Sequence, residues 1–565
     1  MRFSRRLTLV VAGAALVAAA CGSASTGGSQ AANSGKVGGK LVIDNESGGT
    51  WTCQFNPLNG AVAFTSIGFV YEPLYFVDTL KTNPDGSNVA TPWLATGYTW
   101  SNGDQTLTFT IRSGVTWSDG QPFTAEDVAY TFDLLNQYTA LDTLGLWANV
   151  SGPLTAVTAQ GDQVTFTFNS PAQTYFYYLA DQQPIVPKHI FDTVPASQLS
   201  ADSYADSNPV GTGPYVVSAC SANNIKYLRN PHYWQSKPGH PVPQVQELDY
   251  PSFLSNSSAN LVLRQGGAQW GAQYVPNIQS YYIDAGKNRH YWFPPSENVG
   301  IYINTTAPLL DELPVREAIA DAIDRSEVSQ RGEDGYEPAA NQTGIVTPTF
   351  DAWYDKSEDN TTYSPSKAEQ ILQSAGFTKV NGVYQDAQGN QLSFTIQTIS
   401  GYTDWDSSLQ VIQQELNAVG IQVKVQDEDF SSVYLPNLQG GKYTLAYSEQ
   451  PAGGPTPYYE LRDALFSGNI GSTNYSQWKS SSTDALFNAY ATASSVAQQV
   501  QIIHEISQVM VQSIPFVPVT EGVTWYQYDT TDFGGWPSPQ DPYALPAVWA
   551  TPDNGVVLTH LYPTT

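Results

Sequence analysis

The sequence predicts an α/β protein of several domains. Its 565 residues exceed what one hydrophobic core holds, and helical and strand periodicities alternate along the later half with short turns between them. About three or four folding units follow from length as a prior. "GKLVIDNES" (39–47) opens the body as a strand, and "FVYEPLYFVD" (69–78) is apolar enough for a helix or a strand ending in a turn. In "TLTFTIRSGVTW" (106–117), Leu107, Phe109 and Ile111 alternate with polar neighbours, the pattern of a half-buried strand. "SDG" then turns the chain into a helix in which Thr124 and Asp127 have capping-box spacing and Val128, Phe132 and Leu135 share one face. The three carboxylates of this stretch, Asp119, Glu126 and Asp127, therefore read as turn and helix-cap residues, not as a catalytic pair.

The later half continues the rhythm. A helix is expected over 312–325, with Val315, Ala318, Ile319, Ala322 and Ile323 on one stripe, and another over 364–377 between Ser364-Pro365 and Gly376. Residues 406–420 carry a helical stripe of Leu409, Ile412, Leu416 and Val419, and Ile421, Val423 and Val425 then alternate as a strand.

Composition narrows the function classes. With 24 Lys and Arg against 51 Asp and Glu, the net charge of −27 disfavours nucleic acid and anionic membrane faces as partners. Hydrophobic content of 41%, with 34 Tyr and 14 Trp, marks a folded chain with uncharged polar surfaces.

The N-terminus reads as an export signal over residues 1–20: Arg2, Arg5 and Arg6 precede an uncharged run from Leu7 to Ala20, too short to span a bilayer comfortably. Small residues before Cys21 resemble a bacterial lipoprotein signal, which implies lipidation of Cys21, although Ala18 stands where that signal usually has Leu. Residues 21–39 form a Gly/Ser-rich tether, whose eighteen residues after Cys21 reach on the order of 23 Å as a coil. The expected location is the outer face of the cell membrane, at a cell surface or in a periplasm, with the lipid as the membrane contact. Export makes a Cys53–Cys220 disulfide chemically permissible, and two free thiols are the alternative, since sequence separation says nothing about distance.

Other chemistry is not signalled. The six His are scattered, none at metal-ligand spacing with Cys or acid, and "DKSEDN" (355–360) reads as solvated charge. "GTGPYV" (211–216) is a turn, and neither a phosphate loop nor a nucleophile elbow occurs. No metal, cofactor or catalytic residue is expected.

Blocks in order along the chain, "YEPL" (72–75), "TIRSGVTWSDGQPFTAEDVAYTFDLL" (110–135), "PIVPKHIF" (184–191), "NPVGTGPY" (208–215), "YLRNPHYW" (227–234) and "PVREAIADAIDR" (314–325), resemble the family 5 solute-binding proteins of bacterial ABC importers. That group includes oligopeptide-, dipeptide-, nickel- and oligosaccharide-binding members. The resemblance implies a two-lobed, periplasmic-binding-protein-like (type II) α/β fold with an extra inserted domain. Lobe I would combine residues 40–80, 205–297 and 520–565, the insertion would span 81–204, and lobe II 298–519. It further implies a monomer that clamps a small solute between hinged lobes and delivers it to a permease served by separate ATPase subunits.

The ligand is read from loops. Peptide-binding relatives hold the peptide amine with a carboxylate just after the strand that corresponds to "YTLAYSEQ" (443–450); here the next loop starts "PAGG", with Glu449 the nearest acid. "RQGGAQWGAQYVPNI" (264–278) and "GYTDW" (401–405) look like loops of relatives that bind cello- or xylo-type oligosaccharides. Trp51, Trp270 and Trp405 are candidate stacking platforms, with Tyr402 beside them, and Asn45, Gln269, Asp404, Glu449 and Gln450 are candidate hydrogen-bonding groups. An oligopeptide ligand is the alternative. A secreted glycosidase would share the acidity, aromatics and export signal but needs two catalytic carboxylates, and a peptide-sensing or chaperone-like surface lipoprotein needs no transporter.

Overall fold

The computed structural model describes residues 36–564, apart from 46–48, 60–61, 64, 83–87, 149–151, 200–203, 236–241, 451–452 and 494. The expected export signal, Cys21 and most of the tether lie outside these residues, and the tether's last two glycines open a strand, Gly38–Asp44.

That strand buries Leu41 and Ile43 completely and lies inside a seven-stranded sheet. It pairs in parallel with Val245–Pro251 on one side and Trp270–Gly271 on the other. Asn224–Arg229 and Tyr215–Ser221 continue the sheet antiparallel past the first neighbour, and Gln527–Asp529 and Arg289–Tyr291 past the second. Cys53 and Cys220 form a disulfide, with Cα atoms 5.8 Å apart across a sequence separation of 167. Gly211, in the "GTGPYV" turn, is required by close approach: a Cβ there would sit 1.9 Å from the Val70 carbonyl oxygen.

A second sheet orders Gln422–Glu428, Ser393–Ile399, Leu445–Glu449, Pro295–Ile303 and Phe516–Val523 side by side. The chain passes between the two sheets at residues 292–294 and again at 524–526. These crossings are tied together, Trp292 N–H donating to the Tyr526 carbonyl (3.1 Å) and Thr524 N–H to the Pro294 carbonyl (2.8 Å). Two α/β lobes joined by paired crossover segments give the two-lobed architecture expected.

A third, antiparallel sheet orders Ala95–Ser101, Thr106–Ile111, Gln163–Phe168 and Leu154–Gln160. Helix Ala125–Gln137 covers it with Val128, Phe132 and Leu135, all fully buried, each such side chain contributing roughly 1.5–3 kcal/mol. The Thr124 N–H donates to Asp127 Oδ2 (2.8 Å), and Asp127 Oδ1 accepts from the Lys188 N–H (3.0 Å). Asp119 accepts the Gln121 N–H within its turn (3.0 Å) and meets His189 Nε2 at 2.9 Å. These carboxylates hold the backbone.

Three element boundaries differ from expectation. Within residues 69–78 the strand is Tyr75–Thr82, and the residues before it do not form a regular helix, Ile67 being extended and Gly68 having φ +91°. The helix expected over 312–325 is split into Leu313–Asp321 and Arg325–Gly332, because Asp324 turns to cap the second, accepting the Ser326 and Glu327 N–H groups. The helix expected from residue 406 starts at Thr403 and runs to Val419, ended by Gly420 at φ +90°. Asp404 and Trp405 thus belong to a helix's first turn and not to a loop. No helix among the described residues is long and apolar enough to cross a membrane.

Candidate functional site

Between the two larger sheets lies a cavity of about 340 Å³. Its walls come from both lobes. The first sheet supplies Asn45, just past the strand Gly38–Asp44, and Gln273 and Tyr274, just past Trp270–Gly271; the second crossover supplies Trp525, and Glu297 comes from the start of strand Pro295–Ile303. The second lobe supplies Tyr402, Asp404 and Trp405 from the start of helix Thr403–Val419, and Glu449 and Gln450 from the end of strand Leu445–Glu449. A smaller chamber of about 120 Å³ adjoins it, and Glu297, Trp549 and Thr551 line both. A larger groove of about 480 Å³ runs between helix Ala125–Gln137 and the segment 188–196, and it draws on neither of the large sheets.

The lobes touch around this cavity. Asn256 Nδ2 donates to Asp404 Oδ1 (3.0 Å), Tyr177 OH to the Gly453 carbonyl (3.3 Å), Tyr178 OH to Asp463 Oδ1 (3.2 Å) and Tyr459 OH to the Thr174 carbonyl (2.9 Å). These contacts bound the space and withdraw the side chains that face it from bulk water.

Of the nine residues singled out from the sequence, Asn45, Tyr402, Asp404, Trp405, Glu449 and Gln450 line the cavity. Tyr402 and Trp405 pack edge to face at 5.1 Å, and Trp405 leans on Tyr447 at 5.5 Å. Trp51, Gln269 and Trp270 stand outside the lining, contrary to expectation, because other partners claim them. Trp270 is fully buried, donates Nε1–H to the Pro546 carbonyl (2.6 Å) and packs on Trp536. Gln269 Oε1 accepts the Val42 N–H (3.0 Å) inside the first sheet. Trp51 packs on Tyr250 at a tilt, ring centroids 4.5 Å apart, and donates Nε1–H to its carbonyl oxygen (3.0 Å).

The lining also holds residues that the sequence did not single out: Asn256, Gln273, Tyr274, Glu297, Glu337, Phe430, Trp525 and Trp549. Trp525 packs on Tyr274 (5.2 Å) and Phe293 (4.8 Å) at the crossover. Nothing in the local pattern of these residues distinguishes them from core aromatics and surface acids; only the approach of distant segments brings them together.

Four carboxylates, Glu297, Glu337, Asp404 and Glu449, face the cavity, and no Lys, Arg or His does so among the described lining residues. Removal from bulk water is the first cause that raises each above the ordinary carboxylate range, and mutual proximity adds to it: Asp404 and Glu297 raise Glu337 and Glu449. Glu449 has no side-chain hydrogen-bond partner among the described residues, and its side chain stays open to the cleft. Gln450 is fully buried; its Oε1 accepts from Asn298 Nδ2 (3.0 Å), while its Nε2 has no partner among the described residues.

Away from the cleft, Asp355, Glu358 and His504 bring their ligand atoms within 4.8 Å of one another. In space, then, one His does meet acids, which its distance along the chain concealed. All three are half-exposed.

A cleft between two α/β lobes with paired crossovers, walled by aromatics, amides and carboxylates, is the arrangement of a solute-binding class of protein. Residues 89–472 match the family model of bacterial extracellular solute-binding proteins, family 5, and the chain belongs to that family. Among similar proteins, the nickel-binding periplasmic protein of Escherichia coli is 24% identical over 405 residues, 69% of this chain and 72% of that protein. Relatives from Brucella ovis and other Brucella, named for ABC transporter peptide binding, are 26% identical over 335 residues, 58% of this chain and 59% of their own length. An oligopeptide-binding protein of Thermotoga maritima, solved with mannohexaose bound, superposes with a TM-score of 0.85 at 26% identity, covering 93% of this chain and 98% of that one. The Bacillus subtilis oligopeptide-binding protein in complex with a nonapeptide shares the fold, with a TM-score of 0.77 at 22% identity over 94% of this chain and all of that one.

Proposed function

We propose that this protein is the extracytoplasmic substrate-binding component of an ABC importer, and that it takes a short β-linked oligosaccharide of the cello-, xylo- or manno- type. The observation that carries the reading is the wall of the cleft: Tyr274, Tyr402, Trp405, Phe430, Trp525 and Trp549 alternate with Asn, Gln, Asp and Glu. Sugar rings present apolar faces to aromatics and hydroxyl rims to amides and carboxylates. The second chamber beyond Trp549 lengthens the space for a chain of rings. The mannohexaose-bound relative supports the same choice. Solute would draw the lobes together about residues 292–294 and 524–526, and a permease with separate ATPase subunits would read the closed form. Lipid attachment at Cys21 would hold a monomer at the outer face of the cell membrane.

An oligopeptide is the second reading, favoured by Glu449, whose carboxylate stands free at the end of its strand to hold an amine. A peptide's own C-terminal carboxylate, however, would meet no basic side chain in the described lining.

The test is thermal unfolding of the mature body with manno-, cello- and xylo-oligosaccharides and with short peptides. A ligand at about a hundred times its Kd adds about 2.7 kcal/mol to the native state. Stabilisation by an intact sugar supports the reading, and stabilisation by peptides alone moves the protein to the peptide-binding branch.

A further inference from the structure

We infer that Asp355, Glu358 and His504 form a binding site for a divalent transition-metal ion of the zinc type, on the second lobe and apart from the solute cleft. The site is independent of which solute the cleft takes.

Along the chain the two acids read as solvated charge; the fold brings a helix to them. A turn closed by the Glu358 N–H, which donates to the Asp355 carbonyl (3.0 Å), carries both acids, and His504 comes from the helix Val496–Ser513. One ligand atom from each residue lies within 4.8 Å of the other two. Ligands of a tetrahedral zinc ion, bound at about 2.0–2.2 Å, stand about 3.3–3.6 Å apart, a gap that small rotamer changes of half-exposed side chains close. The turn itself is braced on both sides. Trp353, just before it, is buried and packs against Tyr490 with ring centroids 6.4 Å apart; Asp359, just after it, accepts the N–H groups of Gln342 (3.2 Å) and Thr361 (3.0 Å).

The three side chains are also available. His504 and the Glu358 carboxylate take part in no hydrogen bond among the described residues, and no Lys or Arg there pairs with either acid. Ser357 donates its N–H (2.8 Å) and its hydroxyl (2.7 Å) to Asp355 Oδ1, which orients that carboxylate and leaves Oδ2 for an ion, as partners of ligating carboxylates do in metal sites. The same two bonds hold Asp355 below the ordinary carboxylate range, so it is ionised and ready to ligate.

The donor set selects the ion. Calcium takes six to eight oxygens and magnesium a near-octahedral oxygen shell, whereas one imidazole with two carboxylates suits zinc, with water in the fourth position. Such an ion ties the segment that follows Phe350 to the helix Val496–Ser513. Phe350 lines the smaller chamber beside the cleft, so the bound metal steadies that wall.

The experiment is calorimetric titration of the untagged mature protein, first stripped with a chelator, with zinc chloride at about pH 7.5, where an unperturbed imidazole is neutral. The expected result is saturable zinc binding that raises the melting temperature and survives an equal concentration of calcium. His504→Gln and Glu358→Gln are each expected to weaken it at least ~10-fold, and Ser357→Ala, which keeps all three ligands, by ~10-fold. Should His504→Gln fail to fold, Ser357→Ala decides by the same loss. Absence of zinc binding, displacement of zinc by equimolar calcium, or unchanged affinity in the folded variants overturns the inference.

Discussion

Glu72 is fully buried and Glu449 stands exposed at the cleft, and the two carboxylates are treated in opposite ways. Glu72, in the first lobe, accepts hydrogen bonds from Trp93 Nε1 (2.7 Å), Tyr233 OH (2.7 Å) and Trp234 Nε1 (3.0 Å), and the Arg112 guanidinium lies over the Trp234 ring at 4.5 Å. Burial still pushes it to about 7. Every lone pair that matters is used, and the group locks three aromatic side chains. Glu449, at the cleft, has none of this among the described residues, and its neighbours are acids. An interior carboxylate with three donors is part of the scaffold; one without them is held ready for something else. The tryptophans divide along the same line: Trp270 donates to Pro546 inside the first lobe, and Trp405 forms cleft wall.

The largest effect bearing on this contrast is expected from Trp270→Ala. It empties a fully buried site and should lower stability by about 3–5 kcal/mol in urea unfolding, whereas Trp405→Ala should be felt first as lost ligand affinity in calorimetry. If Trp270→Ala unfolds like the parent but no longer binds, the division between interior and cleft is wrong. Glu72→Ala comes next, with a loss of about 3 kcal/mol in the same unfolding measurement, because three buried donors lose their acceptor.

A pH-dependent effect follows from Glu72 and Asp181, each raised by burial to about 7, and Glu460, raised to about 8. Their unfolded values lie near 4, so the folded state binds more protons. Their contribution is present in full below about pH 4 and is lost as pH rises through 7 to 8, each tenfold difference in proton affinity between folded and unfolded chain being worth about 1.4 kcal/mol. The unliganded protein should therefore melt at a lower temperature at about pH 8.5 than at about pH 6. The opposite order in differential scanning calorimetry would mean that these acids are ionised in the fold. The smallest effect is expected from Glu449→Gln, within about 1 kcal/mol of the parent, because no bond is broken and a repulsion is relieved; a loss as large as that of Glu72→Ala would erase the contrast.

Much of this was legible along the chain. Val128, Phe132 and Leu135 have helical spacing and share a buried face, and Thr124 and Asp127 carry a capping pattern that the backbone uses as written, because such signals act over three or four residues. "GYTDW" was recognisable as a segment of interest, and Tyr402, Asp404 and Trp405 do face the cleft. Its helical first turn was not legible, nor was the turning inward of Trp270, because each depends on partners far away: Pro546 for Trp270, Asn256 for Asp404.

The alternation of strands and helices, the helix caps and the acidity were already present in the order of residues, since periodicity and composition are local properties. Which acids stand together without a base, which tryptophan is wall and which is core, and whether Cys53 meets Cys220 waited for the assembled lobes. A cleft is made by segments hundreds of residues apart, so the surroundings of a charge or a ring are set by what folds against it and not by its neighbours along the chain.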